Sequence, residues 1–277
     1  MVECVHENEG GKPLYILFIG DIVGNPGRKI LKERLPALLG EHPVDLVIAN
    51  GENTAGGLGI NAVIAKELFA MGIDVLTLGN HAWSKREVFN FIESEPRLIR
   101  PANVSPMWPG AGIWRSGRTP GVLVVNLLGQ VFMDPADSPF HFLDERLDAW
   151  KKESGCRIVV VDFHAEATAE KAALARYMDG RVTLIAGTHT HVQTADEMIL
   201  ERGTAFITDV GMTGPVDGII GMETASSLRR FVERLPSPFE VAPGRAMINA
   251  VRVEADPATG RALSIERIRL MDEAASD

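Results

Sequence analysis

An α/β fold is what this sequence predicts, and three observations carry the prediction. Runs of β-branched and aliphatic residues recur at 15–19, 44–49, 75–78, 158–163 and 182–186. Helix-patterned stretches alternate with them through the first ninety residues and again beyond residue 158. Each run ends abruptly in Gly, Asp, Asn or His: Gly20-Asp21, Gly51-Glu52-Asn53, Gly79-Asn80-His81, His164, and Thr188-His189-Thr190-His191. In open α/β folds the loops beyond the carboxyl ends of the strands form one crevice. Polar side chains far apart in sequence are therefore expected to meet there.

The elements follow in order. After the first strand and Asp21, residues 28–39 read as a helix that Pro36 should kink or shorten. The second strand leads to Asn61, a fitting N-cap for a helix over 62–71, with Gly72 where a left-handed C-terminal glycine belongs. Beyond the third strand, Ser84-Lys85-Arg86-Glu87 fits a capping box opening a helix on Val88, Phe89, Phe91 and Ile92. From Pro96 to about Asp137 the pattern breaks into Pro/Gly-rich turns around one strand, 122–127, the natural place for an insertion or partial lid. Alternation then resumes: a strand to His164, a helix over 168–178, a strand to Gly187, a strand over 205–209 and a helix over 222–235. Residues 247–254 and 263–270, joined through Pro257-Ala258-Thr259-Gly260, read as an antiparallel hairpin. No repeat or linker divides the chain. The expectation is one domain over 14–277 behind a tag-like, disordered tail over 1–13.

Composition narrows the function classes. Hydrophobic residues at 45% and charged residues at 23% are enough for a sizeable core. A formal net charge of −9 argues against general nucleic-acid binding, which needs a basic face, but not against a small phosphorylated substrate. No apolar run reaches the length of a membrane span, and the tail lacks the features of a signal peptide. The two cysteines, Cys4 and Cys156, make no disulfide framework, so a cytoplasmic protein is expected. Gly56-Gly57-Leu58-Gly59 lacks the order of a nucleotide fingerprint, and no Gly-x-Ser-x-Gly elbow is present. Oligomeric state is left open, a homo-oligomer included.

Eight side chains remain for chemistry: Asp21, Glu52, Asn53, Asn80, His81, His164, His189 and His191. Taken singly, an Asp or Asn after a strand is a turn former and a lone histidine a core residue. Together, carboxylates, amides and imidazoles without thiolates suit a pair of hard to borderline divalent metals rather than a closed structural zinc. His189 and His191, two apart, share one face if strand geometry persists through them. Glu52 and Asn53 need a bend, which Gly51, Gly56, Gly57 and Gly59 allow. His6, His42 and His141 lie outside these strings and read as solvated or structural. Trp83, Trp108 and Trp114 flank the irregular segment, either as packing residues or with one stacking on a base.

The ordered strings Gly-Asp-Ile-Val-Gly (20–24), Asn-Gly-Glu-Asn (50–53), Leu-Gly-Asn-His (78–81), Asp-Phe-His-Ala-Glu-Ala-Thr (162–168), Gly-Thr-His-Thr-His-Val-Gln-Thr (187–194) and Thr-Asp-Val-Gly-Met-Thr-Gly-Pro (208–215) resemble the YmdB family of bacterial 2′,3′-cyclic-nucleotide phosphodiesterases, within the calcineurin-like metallophosphoesterases. The resemblance runs from about Tyr15 to the C-terminus. It implies a metallophosphoesterase sandwich, two mixed β-sheets flanked by helices. It implies that Asp21, Glu52, Asn53 and His191 hold one metal and Glu52, Asn80, His164 and His189 the other, with His81 as proton donor. The wider superfamily has a histidine where Val23 stands and an aspartate where Glu52 stands; the close branch implies that Asn53 supplies the missing ligand. Glu166 is expected to orient a ligand. The implied reaction opens 2′,3′-cyclic nucleotides to 3′-nucleotides by attack of a metal-bridging hydroxide. The implied cofactors are two divalent or mixed-valence ions, iron first, then manganese, with zinc a further option. A phosphomonoesterase or protein phosphatase on the same centre, or a non-catalytic metal-containing regulatory module, are the alternatives.

Overall fold

The computed structural model describes residues 11–117 and 120–272. Most of the expected tail, with Cys4 and His6, lies outside these residues. Among the described residues, strands form one eight-stranded and one six-stranded sheet. The first has the order β2 (Asp21–Ile22), β12 (Met212–Pro215), β13 (Ala246–Ala255), β1 (Leu14–Ile19), β3 (Leu46–Asn50), β4 (Val75–Thr77), β5 (Leu98–Ile99), with β14 (Ala262–Met271) also paired to β13. The second has the order β10 (Met198–Ile199), β11 (Ala205–Ile207), β9 (Leu184–Thr188), β8 (Ile158–His164), β7 (Val122–Leu128), β6 (Ile113–Arg115). Both are mixed. β1, β3, β4 and β5 run parallel while β13 is antiparallel to β1. In the second sheet β7, β8, β9 and β11 are parallel and the flanking β6 and β10 antiparallel.

The two-residue period of a strand explains why these sheets stack. Ile16, Phe18, Leu46, Ile48 and Val75 of the first sheet meet Val122, Val124, Ile158, Val160, Leu184 and Ala186 of the second in one buried layer. The intervening residues face outward. Leu17, Ile19, Val47, Ala49 and Leu76 lie under α1 (Gly24–Glu41) and α2 (Ala62–Ala70). Leu123, Val125, Val159, Val161 and Ile185 lie under α3 (Pro139–Ser154) and α4 (Thr168–Tyr177). Strands buried on both faces read as unbroken apolar runs. The fold is therefore the expected α/β sandwich of two mixed sheets flanked by helices.

Several elements match their signals closely. Asn61 accepts from the Ile64 N–H at 2.9 Å, and Gly72 takes φ +100°. β13 and β14 form the expected hairpin. Others differ. α1 begins at Gly24, four residues early, and runs through Pro36 to Glu41. The capping box at Ser84 does not form: 86–90 and 92–94 are short 3₁₀ turns without a side-chain cap. Pro96 and β5 follow at once, leaving too little chain to nucleate an α-helix. The helix expected over 222–235 shrinks to α5 (Thr224–Leu228) and a π-helical turn, none of whose residues is buried. No helix among the described residues is long and apolar enough to cross a membrane.

Candidate metal centre

The inner layer changes character at the carboxyl ends of the strands. Continuing the inward parity of Ile48, Val75, Val160 and Ala186, the residues Asn50, Thr77, Asp162, His164 and Thr188 are polar and fully buried. They satisfy one another across the two sheets. Asp162 accepts from Asn50 Nδ2 at 3.1 Å, from the Thr77 hydroxyl, and from the Thr188 hydroxyl at 2.6 Å. Having donated to Asp162, the Thr188 hydroxyl can only accept from His164 Nδ1, 2.9 Å away. This network assigns the proton to Nδ1 and turns Nε2 toward the crevice.

Three of the expected side chains meet that nitrogen, and the others stand close by or line the crevice beyond it. Glu52 Oε1 lies 3.1 Å from His164 Nε2, Asn80 Oδ1 3.0 Å and His189 Nδ1 3.0 Å. Asp21 Oδ1 is 3.9 Å from His164 Nδ1, and Asp21 Oδ2 accepts from the His189 N–H at 3.2 Å. Asn53 and His191 line the same crevice of about 380 Å³ with Glu52, His81 and His189. His191 Nδ1 is held 2.9 Å from the Ile220 carbonyl, leaving its Nε2 free to ligate. His81, the eighth, gives its main-chain N–H to Glu52 Oε2 at 2.9 Å, and its Nε2 lies 3.5 Å from Asn80 Nδ2.

The histidine pair reaches this crevice by a different route from the one expected. β9 ends at Thr188, and His189 and His191 take φ of +103° and +66°. Such left-handed backbone costs a non-glycine residue about 1–3 kcal/mol and persists only where the surroundings impose it. They do so through a fully buried lysine. Lys171 Nζ, on α4, donates to the Thr188 carbonyl at 2.8 Å and to Asp209 Oδ2 at 2.7 Å. Asp209 in turn accepts from the Thr190 N–H at 3.1 Å and the Gly211 N–H at 2.8 Å. Sequence reading missed this brace. Asp209 stands within a quoted string, but nothing marks Lys171, since a lysine ordinarily reads as solvated surface. Glu166 Oε2 lies 3.1 Å from His189 Nε2.

The donor set fits a cation. His164 Nε2 faces a carboxylate, an amide oxygen and a second imidazole nitrogen, and one proton cannot serve all three. Asp21 Oδ1 and Asn53 Oδ1 are buried with no hydrogen-bond partner among the described residues, although buried acceptors are nearly always satisfied. Glu52, His164 and His189 each offer a ligand atom within 4.8 Å of the others. The protonation equilibria carry the same strain. Burial pushes the Asp21 carboxyl up to about 6, against the charges of His191 and His164. Burial also pushes Glu52 upward, but the charge and hydrogen bond of His164, with those of His81, hold it near 2. Burial lowers His164, yet Glu52 and Asp21 raise it to about 9. Burial and the His164 charge bring His189 down to about 3. A proton on His164 thus stands where a metal would replace it.

Gly79 leaves room for this packing. A Cβ there would lie 2.3 Å from His164 Nε2 and 2.4 Å from Glu52 Oε2.

A protein-family model described as "YmdB-like protein" matches residues 17–268. The chain belongs to this family. Over 259 residues it is 46% identical to a Bacillus subtilis (strain 168) protein named 2′,3′-cyclic-nucleotide 2′-phosphodiesterase, covering 93% of this chain and 97% of that one. A crystal structure of a hypothetical protein from Thermus thermophilus, 42% identical, superposes with a TM-score of 0.87 over 94% of this chain and 100% of that one. A Mycoplasma pneumoniae structure described as a novel phosphatase, 34% identical, gives 0.89 over 95% of each chain. The YmdB-like match spans every string of the crevice.

Proposed function

We propose that the protein is a dinuclear-metal phosphodiesterase that opens 2′,3′-cyclic nucleotides to 3′-nucleotides, with residues 14–277 acting as one cytoplasmic domain. The observation that carries this reading is the convergence of seven side chains with oxygen or nitrogen donors, five of them buried and two carrying an oxygen with no hydrogen-bond partner among the described residues, beside an imidazole outside the donor set. The kinship with a named 2′,3′-cyclic-nucleotide 2′-phosphodiesterase supports the substrate class.

In this reading Asp21, Glu52, Asn53 and His191 would hold one cation and Glu52, Asn80, His164 and His189 the other. Iron is the first candidate, then manganese and zinc. Bound there, a pair of dications would supply charge neutralisation at the phosphate and a water acidic enough to act as nucleophile at neutral pH. The chain's own residues do the rest. Glu52 is fixed by the His81 N–H and by His164. Asn53 takes the part of the ligand that Val23 cannot supply; Val23 itself is fully buried against Met212, Met222 and Met247. Thr188 and Glu166 orient the imidazoles of His164 and His189, as partners behind metal ligands do. His81 faces the crevice beside Asn80, where its imidazole gives a proton to the departing 2′ oxygen. Imidazole is the side chain suited to that transfer near neutral pH.

Metal analysis of the purified protein, together with chromatography of products from 2′,3′-cyclic AMP and GMP, tests the reading. Two metal equivalents and 3′-nucleotide products are expected, with far slower turnover of 3′,5′-cyclic nucleotides. Predominant 2′-nucleotide would place His81 against the other ester oxygen. Faster turnover of phosphoserine peptides would make the protein a phosphatase.

A further inference from the structure

A second recess of about 300 Å³ has Gly79 and Asn80, one of the proposed metal ligands, in its lining. That volume sits at the lower end of the roughly 300–1,000 Å³ typical of small-molecule sites. Trp83, Val104, Trp108 and Leu128 make its walls apolar, and Asp134 stands in its lining as the charged group. Trp83 and Trp108 meet at 81° with ring centroids 5.3 Å apart. Phe89 stacks on Trp83 at 5.0 Å, so Trp83 is packed in place while Trp108, 42% exposed, keeps free surface.

The wall is also rigid. Arg100 is buried, and its guanidinium donates to the carbonyls of Pro101 (2.8 Å), Trp108 (3.0 Å) and Pro109 (3.2 Å). A buried cation used entirely on main-chain carbonyls of one loop fixes that loop's shape before any ligand arrives. Preorganisation of this kind lowers the cost of binding. Trp114 belongs elsewhere: it lines a cavity with Leu14 and Leu46, at the amino ends of the strands.

We propose that this recess is a nucleobase pocket, in which Trp108 stacks on the base and Asp134 accepts hydrogen bonds from its edge, so that guanine is bound in preference to uracil. The inference rests on the nucleotide reading given above. An apolar recess with the Trp108 ring in its wall and Asn80 in its lining suits a base, and stacking on an aromatic ring is tolerant of base identity. Discrimination falls to Asp134, whose carboxylate oxygens accept hydrogen bonds. Guanine offers N1–H and N2–H side by side, a match for two carboxylate oxygens. Uracil offers one N–H between two carbonyls, which the carboxylate repels. Among the described residues no hydrogen bond or ion pair engages the Asp134 side chain.

Calorimetric titration of the metal-loaded protein with guanosine 3′-phosphate and uridine 3′-phosphate tests this without turnover. The wild-type protein should bind the guanine nucleotide about tenfold more tightly, the worth of a charge-assisted hydrogen bond. Trp108→Ala should weaken both ligands by about 10–100-fold, with Trp108→Phe restoring most of the loss. Asp134→Asn should bring the two affinities close together. Absence of guanine preference in the wild type, its survival in Asp134→Asn, or unchanged affinity in Trp108→Ala overturns the proposal. So does a loss seen in Phe239→Ala instead, because that ring lies in the crevice on the His81 side. A wild-type protein that shows the expected binding pattern yet leaves 2′,3′-cyclic GMP intact keeps the pocket and removes the reaction.

Discussion

Replacing Lys171 by Met tests the brace beneath the two histidines. The side chains are similar in length, so the change removes a charge and three donor hydrogens while keeping the volume. Lys171 and Asp209 are both fully buried, 2.7 Å apart. Removing the lysine leaves the Asp209 carboxylate without its cation, and breaking a buried pair this way costs about 3–5 kcal/mol. Against a total stability of roughly 5–15 kcal/mol, that is a large fraction. Urea unfolding should show a midpoint lower by about 1–3 M. Thr188 loses its anchor outright and the Asp209 that holds Thr190 loses the cation that fixes it, so the left-handed turns at His189 and His191 are less firmly enforced. Metal affinity should fall about 10–100-fold, the scale for losing a group that supports a ligand. The double variant Lys171→Met/Asp209→Asn decides the cause. With neither charge left in the interior, most of the lost stability should return. A single variant within about 1 kcal/mol of the wild type, or a double variant no better than the single, refutes the reasoning.

His81→Ala should keep both metal equivalents while turnover of 2′,3′-cyclic AMP falls ~10²–10⁴-fold; loss of one equivalent would instead make His81 a ligand. Asn53→Ala should selectively weaken one metal, as measured by chelator competition, whereas Val23→Ala should leave both bound and lower only thermal stability. Unchanged metal affinity in Asn53→Ala removes its assignment as a ligand. Gly79→Ala drives a methyl into His164 and Glu52, so stability should drop by about 1–3 kcal/mol and bound metal should be lost; a variant that melts normally and retains full metal would contradict the packing described around Gly79.

The strands at the heart of the sandwich were legible because burial on both faces leaves an unbroken aliphatic run, as in Ile158–Phe163 and Leu46–Ala49. The site was legible for a related reason: Gly, Asp, Asn and His stand immediately where those runs stop. α3 escaped notice because its buried face is narrow, only Pro139, Leu143 and Leu147. Its boundary signals were nonetheless present, with the Ser138 side chain as N-cap and a left-handed Gly155 beyond the last turn. Strand periodicity correctly suggested one crevice for His189 and His191 but assigned the wrong backbone, since period-two reasoning carries no information about where a strand ends. Lys171 and Arg100 show a further limit. A buried cation looks like a surface cation until the carboxylate or carbonyls that hold it are located in space.

The crevice draws Asp21, Glu52, Asn53 and Asn80 from the first sheet and its loops, and His164, His189 and His191 from the second. Any cation held by both groups is a rivet between the layers of the sandwich. A ligand that binds only the assembled fold raises its stability by RT ln(1 + [L]/Kd), about 4 kcal/mol at a thousandfold excess over Kd. On the proposed function, metal supply would therefore govern how much folded chain survives as well as how fast it turns over. Growth in metal-depleted medium would thin the population of the protein itself, through unfolding and proteolysis, before any assay of its chemistry began.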